Sequence, residues 1–183
     1  MFSTINNNTF NFPAGAGAGA PNAVPANSFP INIPTNTVLH IDALVSGGMR
    51  LPGGGWLNAS VFKAESFTPE NPVMLVKGTD TDGSTFEVEI NANEINPRNA
   101  SFIELFALDG YFASKGQHLR SAREAGLAMS TKDIPGVSGF TRFDFLPSLT
   151  EAMEIQLEHR NWEAFRQLQH VVDTLLRIAD RHI

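Results

Sequence analysis

Histidines are the side chains of this sequence most able to hold a metal ion or to move a proton near neutral pH. The five of them are His40, His118, His159, His170 and His182. His159 precedes Glu163 by four positions, a spacing that places both on one face of a helix. His170 and Asp173, three positions apart, meet in the same way. A zinc site needs further ligands, and the sequence has neither an HExxH motif nor any cysteine. We therefore interpret both pairs as solvated charges and predict no metal-binding residue.

Four other patterns could do chemistry, but each is incomplete. Asp80-Thr81-Asp82-Gly83-Ser84 has the composition of a calcium-binding loop, yet its flanks are typical of strands and its glycine falls at the fourth position. Gly136-Val137-Ser138-Gly139 lacks the final glycine of a nucleophile elbow. Gly53-Gly54-Gly55 lacks the Lys-Ser/Thr of a P-loop. The carboxylates on one predicted helix face are Glu151, Glu154 and Glu158, which we expect to be solvated. The sequence thus predicts no catalytic residue, no cofactor-binding residue and no cofactor.

Composition excludes several classes of protein. The chain has 183 residues, a net charge of −6 and no cysteine, so no disulfide framework is available. An acidic chain without a basic run is a poor candidate for nucleic-acid binding. No apolar stretch approaches the ~18 residues of a membrane span. The first ten residues, MFSTINNNTF, lack the features of a Sec-type signal peptide. We expect a protein that is cytoplasmic, or exported without such a signal, with no nucleic-acid partner and no membrane span.

Residues 1–36 differ in composition from the remainder of the chain. They contain eight Asn, six Ala, five Pro and three Gly, and no charged residue. Such a segment cannot bury enough apolar surface to offset the entropy of ordering it, so we predict a disordered-looking N-terminal arm. The remaining residues, 37–183, are predicted to form a single α+β domain.

The predicted arm nevertheless contains apolar side chains at the spacing of one face of an extended strand. These candidate docking residues are Phe10, Phe12, Phe29, Ile31 and Ile33. A segment that remains solvated does not need apolar side chains. An extended segment with such side chains can add to the edge of a sheet, in this chain or another. Pro30 suits such an edge if its missing N–H faces outward. We therefore predict a protein partner or a homo-oligomer.

The domain is expected to begin with a small antiparallel β-meander. Its apolar-rich stretches cover residues 37–45, 56–62, 73–77 and 86–90. Ser46-Gly47-Gly48 and Gly53-Gly54-Gly55 are predicted to separate the first two strands. Asp82-Gly83 predicts a hairpin between the last two, with a type I′ turn that places both residues at positive φ.

The period of the sequence then changes to that of helices. The predicted helical segments cover about residues 97–115, 119–129 and 144–183, with a loop at 130–143. The first helix has two possible starts, Asn96-Pro97 and the capping-box spacing of Ser101 with Glu104, and Ser148 with Glu151 has the same capping-box spacing. Asn161 either lies buried inside one long helix or caps a second helix, and we favour the cap. Trp56 and Trp162 are expected to anchor the core. The fold class is therefore α+β, with a meander at about 37–92 followed by three to four helices at about 97–182.

Three motifs carry a resemblance. They are NPVMLVKG at 71–78, INPRNAS at 95–101 (INPxNAS) and the NW pair at 161–162. Together they resemble a family of uncharacterised bacterial proteins, over about residues 56–115 and part of the C-terminal region. The resemblance supports the domain boundaries and implies no activity, cofactor or site residue.

Three functional hypotheses are open at this point. The first is a non-enzymatic structural or protein-interaction protein whose arm docks on a neighbouring subunit or partner. The second is an exported or phage-derived accessory protein. The third is a small enzyme or ligand-binding domain with a site in loops 46–56 and 130–143, which a closed cavity lined by His118, Arg142 or Asp144 would favour.

Overall fold

A computed structural model describes residues 42–182 of the chain. The predicted boundary at residues 36 and 37 lies outside this part, and so do the predicted arm and its candidate docking residues. Those docking residues are Phe10, Phe12, Phe29, Ile31 and Ile33.

The described chain begins with a four-stranded antiparallel sheet. Its strands are β1 (Val45–Arg50), β2 (Trp56–Lys63), β3 (Val73–Thr79) and β4 (Thr85–Asn91), in the order β1-β2-β3-β4. Met49 pairs with Leu57 across the first two strands, and both side chains point into the core. The predicted meander is confirmed.

The glycine pair expected to separate two strands lies inside β1 instead. Gly47 pairs with Ala59 and Gly48 with Asn58, so the ladder continues through both glycines. The prediction of a break at Ser46-Gly47-Gly48 was wrong because neither glycine adopts a positive φ. A Cβ on Gly47 would lie 3.9 Å from Phe106 Cε1, so this inward-facing position holds an open space.

The β3–β4 hairpin is confirmed, but its turn is of another type. Asp80 N–H donates to Ser84 O, and Gly83 N–H donates to Asp80 O. Only Gly83 has a positive φ, of 84°, whereas a type I′ turn needs two such residues. The loop therefore has three residues, with Gly83 forming the bulge. Asp82 Oδ1 accepts from the backbone N–H and the hydroxyl of Ser84, so these polar groups serve the turn.

Four α-helices follow within residues 42–182. They are α1 (Phe102–Ser114), α2 (Ser121–Met129), α3 (Leu146–Glu158) and α4 (Trp162–Ala179). A short ladder pairs β5 (Ala100–Ser101) with β6 (Arg142–Phe143), and 3₁₀ turns cover Ala92–Glu94, Pro97–Asn99 and Asp180–His182. The α+β class with three to four helices is confirmed, and no helix among these residues has the length and apolar character needed to cross a membrane.

Caps set most of the helix boundaries as expected. Ser101 Oγ accepts from Glu104 N–H while Glu104 Oε2 accepts from Ser101 N–H, so the predicted capping box begins α1. Asn161 Oδ1 accepts from the backbone of Ala164 and begins α4, which confirms two helices at the C-terminus. The expected box at Ser148 was wrong, because α3 already begins at Leu146.

Helix α1 lies against one face of the sheet and contacts all four strands. Gly110 lets α1 approach β2 closely, because an added Cβ would lie 2.3 Å from Val61 Cγ1. At the side of the sheet, α2 meets β1, and a Cβ on Gly126 would lie 3.0 Å from Met49 Sδ. The hairpin of α3 and α4 packs beside α2. This arrangement brings one end strand of the sheet next to a helix.

Candidate functional site

A groove of about 630 Å³ lies between β1 and α2. Its apolar surface comes from α1, α2 and the inner face of β1, with Phe106 and Met49 almost fully buried at its base. Gly47 and Gly126 both line it, and neither has a side chain to fill it. The groove is thus an apolar depression that these glycines help to keep open.

Two large apolar side chains line the groove and are exposed. Trp56 is 61% exposed and Leu127 is 57% exposed. Trp162, on the far hairpin of α3 and α4, is 56% exposed. The expectation that both tryptophans anchor the core was therefore wrong. Trp56 pairs with Arg50 at the end of β1, on the sheet face that α1 does not cover.

Cationic side chains also line the groove. Arg123 forms an ion pair with Glu124 at 3.4 Å. Within residues 42–182, Arg50 and Arg120 form no ion pair within 4.0 Å. Arg120 has a φ of 60°, an uncommon value for a residue other than glycine. The groove is therefore apolar at its base, and three arginines lie along its sides.

Asp109 joins α1 to the beginning of α2 and is itself one of the residues that line the groove. Its carboxylate accepts from Ser121 N–H at 2.6 Å, from Ser121 Oγ at 2.7 Å and from Ala122 N–H at 3.1 Å. It thereby satisfies two backbone donors that the first turn of a helix leaves unpaired. Burial raises the pKa of Asp109 to about 6, against the lowering effect of these hydrogen bonds. Asp109 positions α2, and with it one wall of the groove.

One edge of the sheet opens onto this groove. Within residues 42–182, the only strand that pairs with β1 is β2, so the other side of β1 has no strand neighbour there. Every second residue of such an edge strand turns its N–H and C=O away from the sheet. Backbone hydrogen-bonding groups and an apolar depression therefore lie side by side.

The residues considered for chemistry from the sequence lie elsewhere. His159, Glu163, His170 and Asp173 are exposed along α4 and the turn before it, and His40 is outside the described residues. Within the described part, no group of three His, Asp or Glu side chains could hold a metal ion. The carboxylates Glu151, Glu154 and Glu158 are exposed, as expected.

The loops at 46–56 and 130–143, which were the alternative site, contact one another, but most of the groove residues that they supply come from 46–56. A Cβ on Gly53 would lie 2.4 Å from Ile134 O, so the loops pack closely there. His118 lines the groove together with the strand residues 46–50. Arg142 instead contacts Glu104 at 2.7 Å, and Asp144 accepts from Leu146 N–H at the start of α3.

Sequence reasoning missed the groove because its walls are distant in the chain. One signal was available: Asp109 is the only charged residue in the apolar run between Glu104 and Lys115. A carboxylate in a buried helical stripe needs partners from another element. That signal points to the α1–α2 contact, but no local pattern indicates that α2 packs beside β1.

Comparison with protein-family models, curated proteins and solved structures gave no match for this chain. The resemblance to a bacterial family thus stays a prediction.

Proposed function

We propose that this protein is a non-enzymatic structural protein that assembles by docking the N-terminal arm of one copy into the β1–α2 groove of a neighbouring copy. The observation that carries the proposal is the coincidence of the apolar groove with a β1 edge that has no strand neighbour within residues 42–182. Extended peptides bind at such edges because the backbone supplies hydrogen bonds and the pockets select alternate side chains.

The two end strands of the sheet differ in a way that favours β1 as the receiving edge. β4 exposes Glu87 and Glu89, and charged side chains are a common guard against unwanted strand pairing. β1 has two central glycines and a single charged residue, Arg50, at its end. A strand approaching β1 therefore meets little steric or electrostatic resistance.

The predicted arm has the chemistry that this groove accepts. It carries no charge and has apolar side chains at alternate positions, which suit an apolar depression beneath a strand edge. Each copy has a net charge of −6, so two copies repel one another weakly at long range. Because the arm is uncharged, its contact with the groove adds no electrostatic repulsion between the two copies.

The groove residue Leu127 allows a direct test in the full-length chain. Leu127→Asp places a charge on the exposed wall of the groove, and Leu157→Asp makes the same change on α3, where Leu157 is 44% exposed and outside the groove. Light scattering after size-exclusion chromatography should show an assembly for the native chain and for Leu157→Asp, and a lower mass for Leu127→Asp.

Circular dichroism and thermal melting establish that both variants remain folded. A native chain that is monomeric at every concentration would refute the proposal. So would an assembly that Leu127→Asp leaves intact, because the groove would then play no part in it.

A second candidate function is the binding of a small amphipathic anion. It is favoured by the three arginines that line the groove, Arg50, Arg120 and Arg123, because an apolar cavity with a few charged groups is typical of ligand sites. Calorimetric titration with dodecanoate tests it. Binding that is saturable and is lost in Arg120→Gln would support this candidate, and its absence would refute it.

A further inference from the structure

We infer that residues 29–33 of a neighbouring copy add to β1 as a fifth strand, which runs parallel to β1. This inference rests on the proposed function and specifies it, because it names the docking segment, its direction and the copy that supplies it. Three features support it: the hydrogen-bonding pattern of the sheet, the position of Pro30 and the length of chain between residue 33 and β1.

The sheet shows which backbone groups of β1 face the free edge. Leu51 N–H, next after β1, donates to Gly55 O at 2.8 Å in the register of the β1–β2 ladder. Odd-numbered residues of β1 therefore direct their backbone groups towards β2. Even-numbered residues, Ser46, Gly48 and Arg50, direct theirs towards the free edge.

The β2–β3 ladder agrees with this assignment. Ala64 N–H donates to Val73 O at 3.1 Å, in register with the paired residues of β2 and β3. Even-numbered residues of β2 thus face β3, and its odd-numbered residues, which include Leu57 and Val61, face β1. Leu57 and Val61 are fully buried, so the odd-numbered residues of β2 are also those whose side chains face the core. The backbone hydrogen bonds between β1 and β2 therefore join the inward-facing residues of the two strands.

This pattern selects the direction of an added strand. In any strand, residues that share a face also direct their backbone groups to the same side. If Phe29, Ile31 and Ile33 face the groove, Pro30 faces the outer side of the sheet. In an antiparallel strand the outward-facing residues would bond to β1, so Pro30, which lacks an N–H, would confront a backbone carbonyl.

A parallel strand removes that conflict. Its inward-facing residues, Phe29, Ile31 and Ile33, bond to the free groups of β1, and the nitrogen of Pro30 faces away, as proline requires in an edge strand. The length also fits, since five residues span about 17 Å and the six residues of β1 about 20 Å. The Phe10–Phe12 stretch offers only two apolar side chains at this spacing, against three.

A parallel direction also indicates that the strand comes from another copy. Parallel neighbours in one chain need a crossover of about a dozen residues or more, because the connection must return along the whole strand. The chain is already held on the sheet at Leu44, whose N–H donates to Val61 O at 2.8 Å. Only residues 34–43 remain for the return, which is ten residues. The neighbouring copy supplies its segment without this restriction.

The absence of cysteine from the sequence makes a cross-linking test possible in the full-length chain. Two single-cysteine variants label the ends of the segment, Ser28→Cys and Thr35→Cys. Two others label the ends of β1, Ser46→Cys and Arg50→Cys, at exposed positions. Each segment variant is mixed with each β1 variant and treated with a short bismaleimide, and covalent heterodimers are identified by mass spectrometry.

The inference predicts heterodimers for Ser28→Cys with Ser46→Cys and for Thr35→Cys with Arg50→Cys, and not for the two crossed pairs. Leu157→Cys on α3 serves as the matched control for random collision and should give no heterodimer with either segment variant. Ile31→Ser combined with Ile33→Ser should abolish the products.

The remaining outcomes separate this inference from the proposed function. Products from the crossed pairs would overturn the parallel direction, and an internal cross-link within one chain carrying Ser28→Cys and Ser46→Cys would overturn donation by a neighbour. Loss of the products in Phe10→Ser with Phe12→Ser, but not in Ile31→Ser with Ile33→Ser, would overturn the choice of segment. Each of these results leaves the Leu127→Asp light-scattering test to decide whether the groove mediates assembly.

Discussion

Replacement of Asp109 by asparagine should change how the stability of the domain depends on pH. The carboxyl group is buried between α1 and α2, and this burial raises its pKa to about 6 from the ordinary 3.8. Asparagine keeps an oxygen that can accept from Ser121, but it does not titrate. The comparison therefore isolates the contribution of this one ionisation.

The size and the sign follow from the shift in pKa. A difference of slightly more than two pH units corresponds to about 3 kcal/mol, which is the cost of ionising Asp109 in the folded rather than the unfolded chain. Because the folded pKa is the higher one, the stabilisation is complete below the unfolded value and is lost as the pH rises through about 6. Above that pH the contribution is constant. Between about pH 4.5 and about pH 7.5 the native chain should lose about 2 kcal/mol relative to Asp109→Asn.

Urea denaturation at several pH values measures this effect. Far-UV circular dichroism is the suitable probe, because both tryptophans are exposed and report unfolding poorly. The free energy of unfolding of the native chain minus that of Asp109→Asn should fall as the pH rises between these limits. The absolute difference at a single pH is less informative, since asparagine also loses the bond from Ala122 N–H.

Asp82→Asn is the control. Hydrogen bonds from the side chain and backbone of Ser84 lower the pKa of this exposed carboxyl, so its contribution is lost only as the pH falls below the ordinary range of aspartate. The free energy of unfolding of Asp82→Asn should therefore differ from that of the native chain by a constant amount between about pH 4.5 and about pH 7.5. If the difference in free energy of unfolding between the native chain and Asp109→Asn is also constant over this range, the conclusion that Asp109 is buried and ionised at the start of α2 is wrong.

Four further substitutions test the packing and the helix caps. Gly110→Ala should lower the free energy of unfolding by about 2 kcal/mol in urea denaturation, because its Cβ would lie 2.3 Å from Val61 Cγ1 and the β-branched valine cannot yield easily. Ser101→Ala should cost about 1 kcal/mol through loss of the cap, and Ser148→Ala clearly less, which thermal melting would reveal. Gly47→Val should raise the free energy of unfolding by about 1 kcal/mol, because valine favours a strand and glycine does not. It should also abolish assembly in light scattering, because the valine side chain would occupy the groove. Unchanged assembly in that variant would contradict the role of the groove.

Local signals in the sequence predicted the elements whose cause is local. Alternation at 86–90 placed β4, and the spacing of Ser101 and Glu104 placed the start of α1. Asn161 predicted the start of α4, because an amide after a helical stripe satisfies free N–H groups. In each case the deciding interaction spans at most a few residues.

Two of the wrong predictions concern residues whose partners lie further along the chain. Ser148 had the spacing of a cap, but Asp144 and Pro147 begin α3 earlier, and Ser148 Oγ accepts instead from Lys132. Gly47 had the composition of a break, but pairing with Ala59 of β2 keeps it in the strand. Tertiary pairing overrides a local preference of about 1 kcal/mol at such positions.

Three residues together keep the groove open. Asp109 fixes the first turn of α2 against α1, and Gly126 lets the same helix approach Met49 closely, so α2 is held at both ends of its contact. Between those points Gly47 contributes no side chain, although the space around it would accept one. Filling such a space is among the simplest ways to stabilise a domain, and the recurrent cost of such a substitution is lost function where the site needs the opening. The occupant that we propose for this opening is an extended segment with large apolar side chains on one face, and residues 29–33 of a neighbouring copy have the alternating sequence that such a segment needs.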